Sequence, residues 1–211
     1  MSKFVLFDFD GVIADSFGIA SALAQRICKR YTPDTYRSAF EGNIYDTFAA
    51  DGTRRDHGGQ EDCNHDLNWW DEYQKSFATV TPFDGVCDAI RIMSKDYSLA
   101  ILSSGSRKFI DPFLETNGIA HHFTDILDVD VHTHKTKKIE VIFEKYGITA
   151  LDCVFVTDTL GDIREAGAHG MGVIAVSWGF HSRVTLEKGV PFRIIERPQE
   201  LPVAVNEYFS Q

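Results

Sequence analysis

Four short apolar runs, each ending in an acidic or small polar residue, constrain the fold of this chain more than any other feature. Phe4-Val5-Leu6-Phe7 runs into Asp8, and Leu99-Ala100-Ile101-Leu102 into Ser103-Ser104. Cys153-Val154-Phe155-Val156 runs into Thr157-Asp158, and Val173-Ile174-Ala175-Val176 into Ser177. Unbroken apolar runs of this length, rich in Val and Ile, read as strands buried on both faces, hence as a parallel sheet. Helical periodicity lies between them: Val86, Ala89, Ile90 and Met93 share one face, as do Ile139, Ile142, Phe143 and Tyr146. Asp111-Pro112 reads as a cap followed by proline at the first helical position, with Gly118 ending that helix. The alternation predicts a Rossmann-like, doubly wound α/β sheet, in which ligands bind beyond the carboxyl ends of the strands.

The interval from Ser16 to Val80 breaks the pattern. Ile19, Leu23 and Ile27 recur at helical spacing, as do Trp69, Tyr73 and Phe77, and the polar stretch Asp51 to Asp66 reads as a loop. The expected division is an α/β core of residues 1–15 and 81–211 with an α-helical cap domain of residues 16–80 inserted. Thr81-Pro82-Phe83-Asp84-Gly85 marks the return. A chain of 211 residues is ample for one such core and needs no disulfide or metal to fold.

With 21 basic against 31 acidic residues, the net charge of −10 repels nucleic-acid backbones and anionic membranes. Neither is expected as a partner, and an anionic substrate needs a local positive site. The leading apolar run stops at Asp8, too short for a membrane span. The four cysteines (Cys28, Cys63, Cys87, Cys153) show no CxxC spacing and are expected as reduced thiols of a cytoplasmic protein.

The strand ends carry the chemistry. Asp8 and Asp10 are alternate residues of an extended segment, so both carboxylates point one way, a costly arrangement unless a cation or a proton intervenes. Ser103, Ser104 and Gly105 form a strand-to-helix junction whose hydroxyl and N–H groups suit an anion. Lys135 precedes a helix and could neutralise a phosphate, though Lys137 and Lys138 are close enough to serve instead. Asp158 and Asp162 add two more acids, and this set of hard oxygen ligands suits Mg²⁺.

Asp8-Phe9-Asp10-Gly11-Val12, Ser103, Lys135 and Asp158-Thr159-Leu160-Gly161-Asp162 resemble, in order, the four motifs of the haloacid dehalogenase-like hydrolases. The insertion resembles the helical cap of their phosphoglycolate phosphatase-like subgroup. Two departures are Thr157, where the subgroup usually has glycine, and the lack of a proline after Lys135. The resemblance implies a Mg²⁺-dependent phosphatase of a small phosphorylated metabolite. It makes Asp8 the nucleophile forming an aspartyl-phosphate, and Asp10 the acid and then the base. Ser103, Ser104, Gly105 and Lys135 would bind the phosphoryl group. Asp8, the Asp10 carbonyl and Asp158 would hold the metal, with Asp162 behind them. The alternatives are a sugar phosphomutase of the same family and, from another class, a receiver-like phospho-aspartate signalling domain. Trp69, Trp70 and Tyr73 are expected mainly to pack within the cap or against the core, with pocket lining as the alternative. His57, Cys63 and His65 make only a weak candidate metal group.

Overall fold

The computed structural model describes residues 3–50, 63–64 and 66–211, residues 49 and 50 by backbone alone. Its elements run β1 (Phe4–Phe7), α1 (Phe17–Ile27), α2 (Pro33–Ser38), α3 (Ile44–Ala50), α4 (Trp69–Phe77), α5 (Val86–Met93), β2 (Ser98–Leu102) and α6 (Arg107–Thr116). They continue through β3 (Phe123–Leu127), α7 (Lys135–Tyr146), β4 (Cys153–Thr157), α8 (Leu160–Gly167), β5 (Gly172–Val176), α9 (Arg183–Glu187), β6 (Arg193–Ile195) and α10 (Leu201–Phe209).

The six strands form one parallel sheet in the order β3-β2-β1-β4-β5-β6. Strand β1 is central, Leu6 sitting beside Ala100 on one side and Phe155 on the other. Its side chains alternate between two cores, as the twofold period of a strand requires. Val5 and Phe7 join α5, α6 and α10 on one face, whereas Phe4 and Leu6 join α7, α8 and α9 on the other. That is the doubly wound α/β architecture expected from the apolar runs. Strands β3 and β6 escaped the sequence reading because they lie at the edges. Phe123-Thr-Asp-Ile-Leu is half exposed, and β6 has only three residues, so neither shows a continuous apolar run.

Helix α6 begins five residues before the expected start, and Pro112 is its sixth residue. Ser106 is the cap, its hydroxyl accepting from the Lys108 N–H. Pro112 and Lys108 are both exposed, so the carbonyl that proline leaves unbonded faces water and the helix continues. Gly118, at φ +64°, ends the helix as expected.

Helices α1 to α4 stand between β1 and α5. The outgoing and returning segments run side by side, Ala14 bridging Pro82, with Asp15 N–H bonded to the Thr81 carbonyl. Most of the expected Asp51–Asp66 loop lies outside the described residues, as do His57 and His65. Among the described residues no helix is long and apolar enough to cross a membrane.

One expectation is corrected. Cys28 and Cys63 are joined by a disulfide, while Cys87 and Cys153 are free. The bond ties the end of α1 to the segment entering α4 across 35 positions, a proximity created by packing α1 on α4 and invisible in the cysteine spacing. Thiol titration of the unfolded protein should therefore count two thiols before reduction and four after. Reduction should lower stability by about 3–4 kcal/mol, the loop-closure value for this span; four thiols without reductant would contradict the pairing.

Candidate active site

Asp8 follows β1, Ser103 follows β2 and Asp158 follows β4, so the register of three neighbouring strands sets their backbones abreast. Asp8 is buried, with Oδ1 accepting from the Phe9 N–H at 2.7 Å and Oδ2 at 2.7 Å from the Lys135 ammonium. Lys135 is the first residue of α7 and also pairs with Asp162 at 2.5 Å. Thr157, the departure from the usual glycine, donates its hydroxyl to the same Asp162 oxygen at 2.7 Å. Asp162 is thereby tied to the lysine and the threonine together.

The other two lysines are placed elsewhere. Lys138 is buried and donates to the Ser103 carbonyl, and Lys137 is exposed and pairs with Glu140. Helical spacing explains this: from Lys135, three residues return nearly to the same face, whereas two turn away. Ser103 is itself fully buried, its hydroxyl accepting from the Gly105 N–H at 2.9 Å, and Ser104 and Gly105 form the adjoining wall of a cavity.

Asp10 lies two residues beyond Asp8 on the same cavity wall. Its Oδ1 accepts from the Tyr73 hydroxyl at 2.7 Å, a contact from helix α4 that the sequence did not disclose. Trp69, Trp70 and Tyr73 all reach this cavity, and Tyr73 also packs into the core, so both readings of that trio hold in part. Further bonds close α1–α4 over the strand ends: Asn43 to Glu165 at 2.8 Å, the Tyr45 hydroxyl to the Ser104 carbonyl at 2.7 Å, and Arg37 to the Phe180 carbonyl. Buried His181 accepts from the Leu160 N–H through Nδ1 and faces the Arg37 carbonyl through Nε2. Glu165 also accepts from the Thr136 N–H, capping α7. Thr157 stood out in the sequence only as a departure from glycine, and Glu165 and His181 carried no signal because they act through partners 29 and 144 residues away.

Asp158 is fully buried between backbone segments. Its Oδ2 accepts from the Phe180 N–H at 2.6 Å, and its Oδ1 has no hydrogen-bond partner. A Cβ on Gly11, whose φ is +77°, would stand 2.0 Å from that carboxylate, and one on Gly179 2.3 Å away. Only glycine permits both chain segments to close on Asp158.

The electrostatics follow from this crowding. Burial raises Asp8 well above the carboxylate range, with Lys135 opposing and Asp162 and Asp158 reinforcing the shift. Burial likewise pushes Asp158 up to about 7 and raises Asp10, where Ser16 and then Tyr73 pull the other way. For Asp162 burial is outweighed by Lys135 and Thr157, which hold it below the usual range. Burial would lower Lys135, but Asp162 and Asp8 raise it further. Burial, then Lys135, takes Lys138 down to about 8.

An orphaned, buried carboxylate oxygen beside a second buried carboxylate is a donor set that asks for a cation. Among the described residues no three His, Cys, Asp or Glu side chains gather into a cage of their own. Mg²⁺ fits such a place, since it needs one or two carboxylates and completes its shell with waters and substrate phosphate. Replacing Lys135 by methionine should cut kcat/KM by roughly 10²–10³-fold, the scale of losing one charge-stabilising donor. Lys137→Met should remain within about twofold, as expected for an exposed residue away from the site; equal losses would place the working lysine elsewhere.

The sequence model of the haloacid dehalogenase-like hydrolases matches residues 5–176. The chain is 26% identical over 221 residues to a phosphoglycolate phosphatase of Synechococcus elongatus, covering 98% of this chain and 99% of that protein. It is 25% identical to pyrophosphatase PpaX of Oceanobacillus iheyensis, covering 98% of each. Among solved structures, a hydrolase from Pseudomonas syringae superposes with a TM-score of 0.80 at 15% identity, covering 98% of this chain and 99% of that one. CbbY from Rhodobacter sphaeroides, in complex with phosphate, superposes with 0.75 at 17% identity, covering 98% and 100%. These structural likenesses show the fold. The match spans β1 through β5, and with it every strand end described above, so the chain belongs to the haloacid dehalogenase-like hydrolase family.

Proposed function

We propose that this hydrolase is a Mg²⁺-dependent phosphatase of a small phosphomonoester, working through an aspartyl-phosphate on Asp8. The observation that carries the reading is the Asp8 carboxylate held between the Phe9 N–H and Lys135, with Asp10 two residues on at the same cavity. The phosphatase names of the relatives agree with it.

In the first step an Asp8 oxygen forms the bond to phosphorus as the ester P–O bond breaks, and Asp10 gives its proton to the departing alcohol oxygen. In the second, Asp10 as carboxylate takes a proton from water, whose oxygen attacks phosphorus and frees Asp8. Tyr73 holds the Asp10 carboxyl through Oδ1. Lys135, fixed by Asp162, places a permanent positive charge beside the nucleophile. Ser104 and Gly105 offer wall contacts for phosphoryl oxygens, and Ser103 shapes that turn from inside. Asp8, Asp158 and the Asp10 carbonyl would hold Mg²⁺, and Asp162 would act behind them by holding Lys135. When bound, the ion neutralises charge on the phosphoryl oxygens.

Hydrolysis of p-nitrophenyl phosphate should require Mg²⁺, stop with EDTA and vanish in Asp8→Asn; activity surviving in that variant would remove the nucleophile from the scheme. Asp10→Asn should lose about 10²–10⁴-fold on an alkyl phosphate and less on the nitrophenyl ester, whose leaving group needs no proton. Equal losses on both would deny Asp10 its role as acid.

A further inference from the structure

The cavity in front of Asp8 has a volume of about 430 Å³, within the range of roughly 300–1,000 Å³ usual for sites that enclose a ring-bearing ligand. Its floor is polar, made by Asp8, Asp10 and Lys135, and its opposite wall is apolar. Nine aromatic side chains line it, among them Tyr31, Phe48, Trp69 and Trp70. Ala20 and Ala24, one turn apart on α1, leave the space these rings face. The rings are held against one another, Trp69 stacked on Tyr73 at 5.7 Å and Phe48 edge-on to Tyr31 at 5.8 Å.

Charge on the wall is one-sided. Among the described lining residues there are four carboxylates and one cation, Lys135, which is already paired with Asp8 and Asp162. Among the described arginines nearby, Arg26 pairs with Glu72, Arg37 with Asp34 and the Phe180 carbonyl, and Arg30 lies over the Tyr31 ring. The amide oxygens of Asn43, Asn64 and Asn68 accept from the N–H groups of Tyr45, Asp66 and Trp70. Among the described lining residues, a leaving group with its own carboxylate or second phosphate would meet no cation beyond the already paired Lys135, which is unfavourable for a desolvated anion. A flat, uncharged ring would gain stacking and apolar burial there.

We infer that the substrate is a phosphomonoester whose alcohol carries an uncharged aromatic or similarly flat apolar ring, in preference to a short ester bearing a second anion. This rests on the phosphatase reading for its chemistry, while the pocket's selectivity can be measured without turnover. The test is calorimetric binding, in Mg²⁺ buffer, of two inert phosphonates of equal linker length, 2-phenylethylphosphonate and 3-phosphonopropionate. The phenyl compound should bind at least about tenfold tighter. Trp69→Ala and Phe48→Leu should each narrow that ratio, the second variant guarding against misfolding in the first.

Equal binding, or tighter binding of the carboxylate, would overturn the inference whether or not any ester is hydrolysed. An unchanged ratio in both variants would overturn the assignment to this wall. Turnover separates the two claims: benzyl phosphate should exceed 2-phosphoglycolate and pyrophosphate in kcat/KM. Failure of every ester, methyl phosphate included, would strike the phosphatase reading and leave the binding ratio standing.

Discussion

Lys135 neutralises a place where the parallel sheet forces like charges together. Adjacent parallel strands end level, so residues placed just past β1 and β4 bring Asp8 and Asp158 into one buried region, with Asp162 one helical turn beyond. The lysine enters from the first turn of α7, where the helix dipole disfavours a cation, and is held there by Asp8 and Asp162 at 2.7 and 2.5 Å. Removing one partner from such a buried group typically costs about 3–5 kcal/mol, because the others are left uncompensated. Burial keeps Asp8 and Asp158 above the usual carboxylate range, with Lys135 pulling against it, and one Asp158 oxygen has no hydrogen-bond partner.

The helices inserted after β1 complete this arrangement from above. Tyr73 bonds Asp10, Tyr45 bonds the Ser104 carbonyl, and Asn43 bonds Glu165, which caps the helix that carries Lys135. Asp10 and the Ser104 turn are therefore each braced by a side chain from the α1–α4 segment, and the start of the lysine's helix is braced through Glu165. Any movement of those helices would alter all three together. The aromatic wall and the polar floor meet at Asp10, which accepts the Tyr73 hydroxyl.

Much of this was legible in the chain because it depends on local pattern. The runs that became β1, β2, β4 and β5 are buried on both faces, so their apolar continuity survives in the sequence, and the acids after them are fixed by adjacency. Edge strands β3 and β6 were not legible, since one face of each meets water or a loop and the apolar signal thins out. Pro112 misled because a proline at an exposed helix position costs one hydrogen bond that water replaces. The disulfide was hidden for a different reason: cysteine spacing says nothing about which helices pack.

The sequence by itself determined the doubly wound sheet, because strand periodicity is a property of neighbours along the chain. Tertiary structure alone decided which lysine meets Asp8 and that Tyr73 reaches Asp10 across 63 positions. It also decided that the cavity above the acids is walled by rings and holds a single cation among its described residues. Those outcomes depend on helix phase and on the docking of α1–α4 over the sheet, interactions between residues remote in sequence that no local pattern encodes.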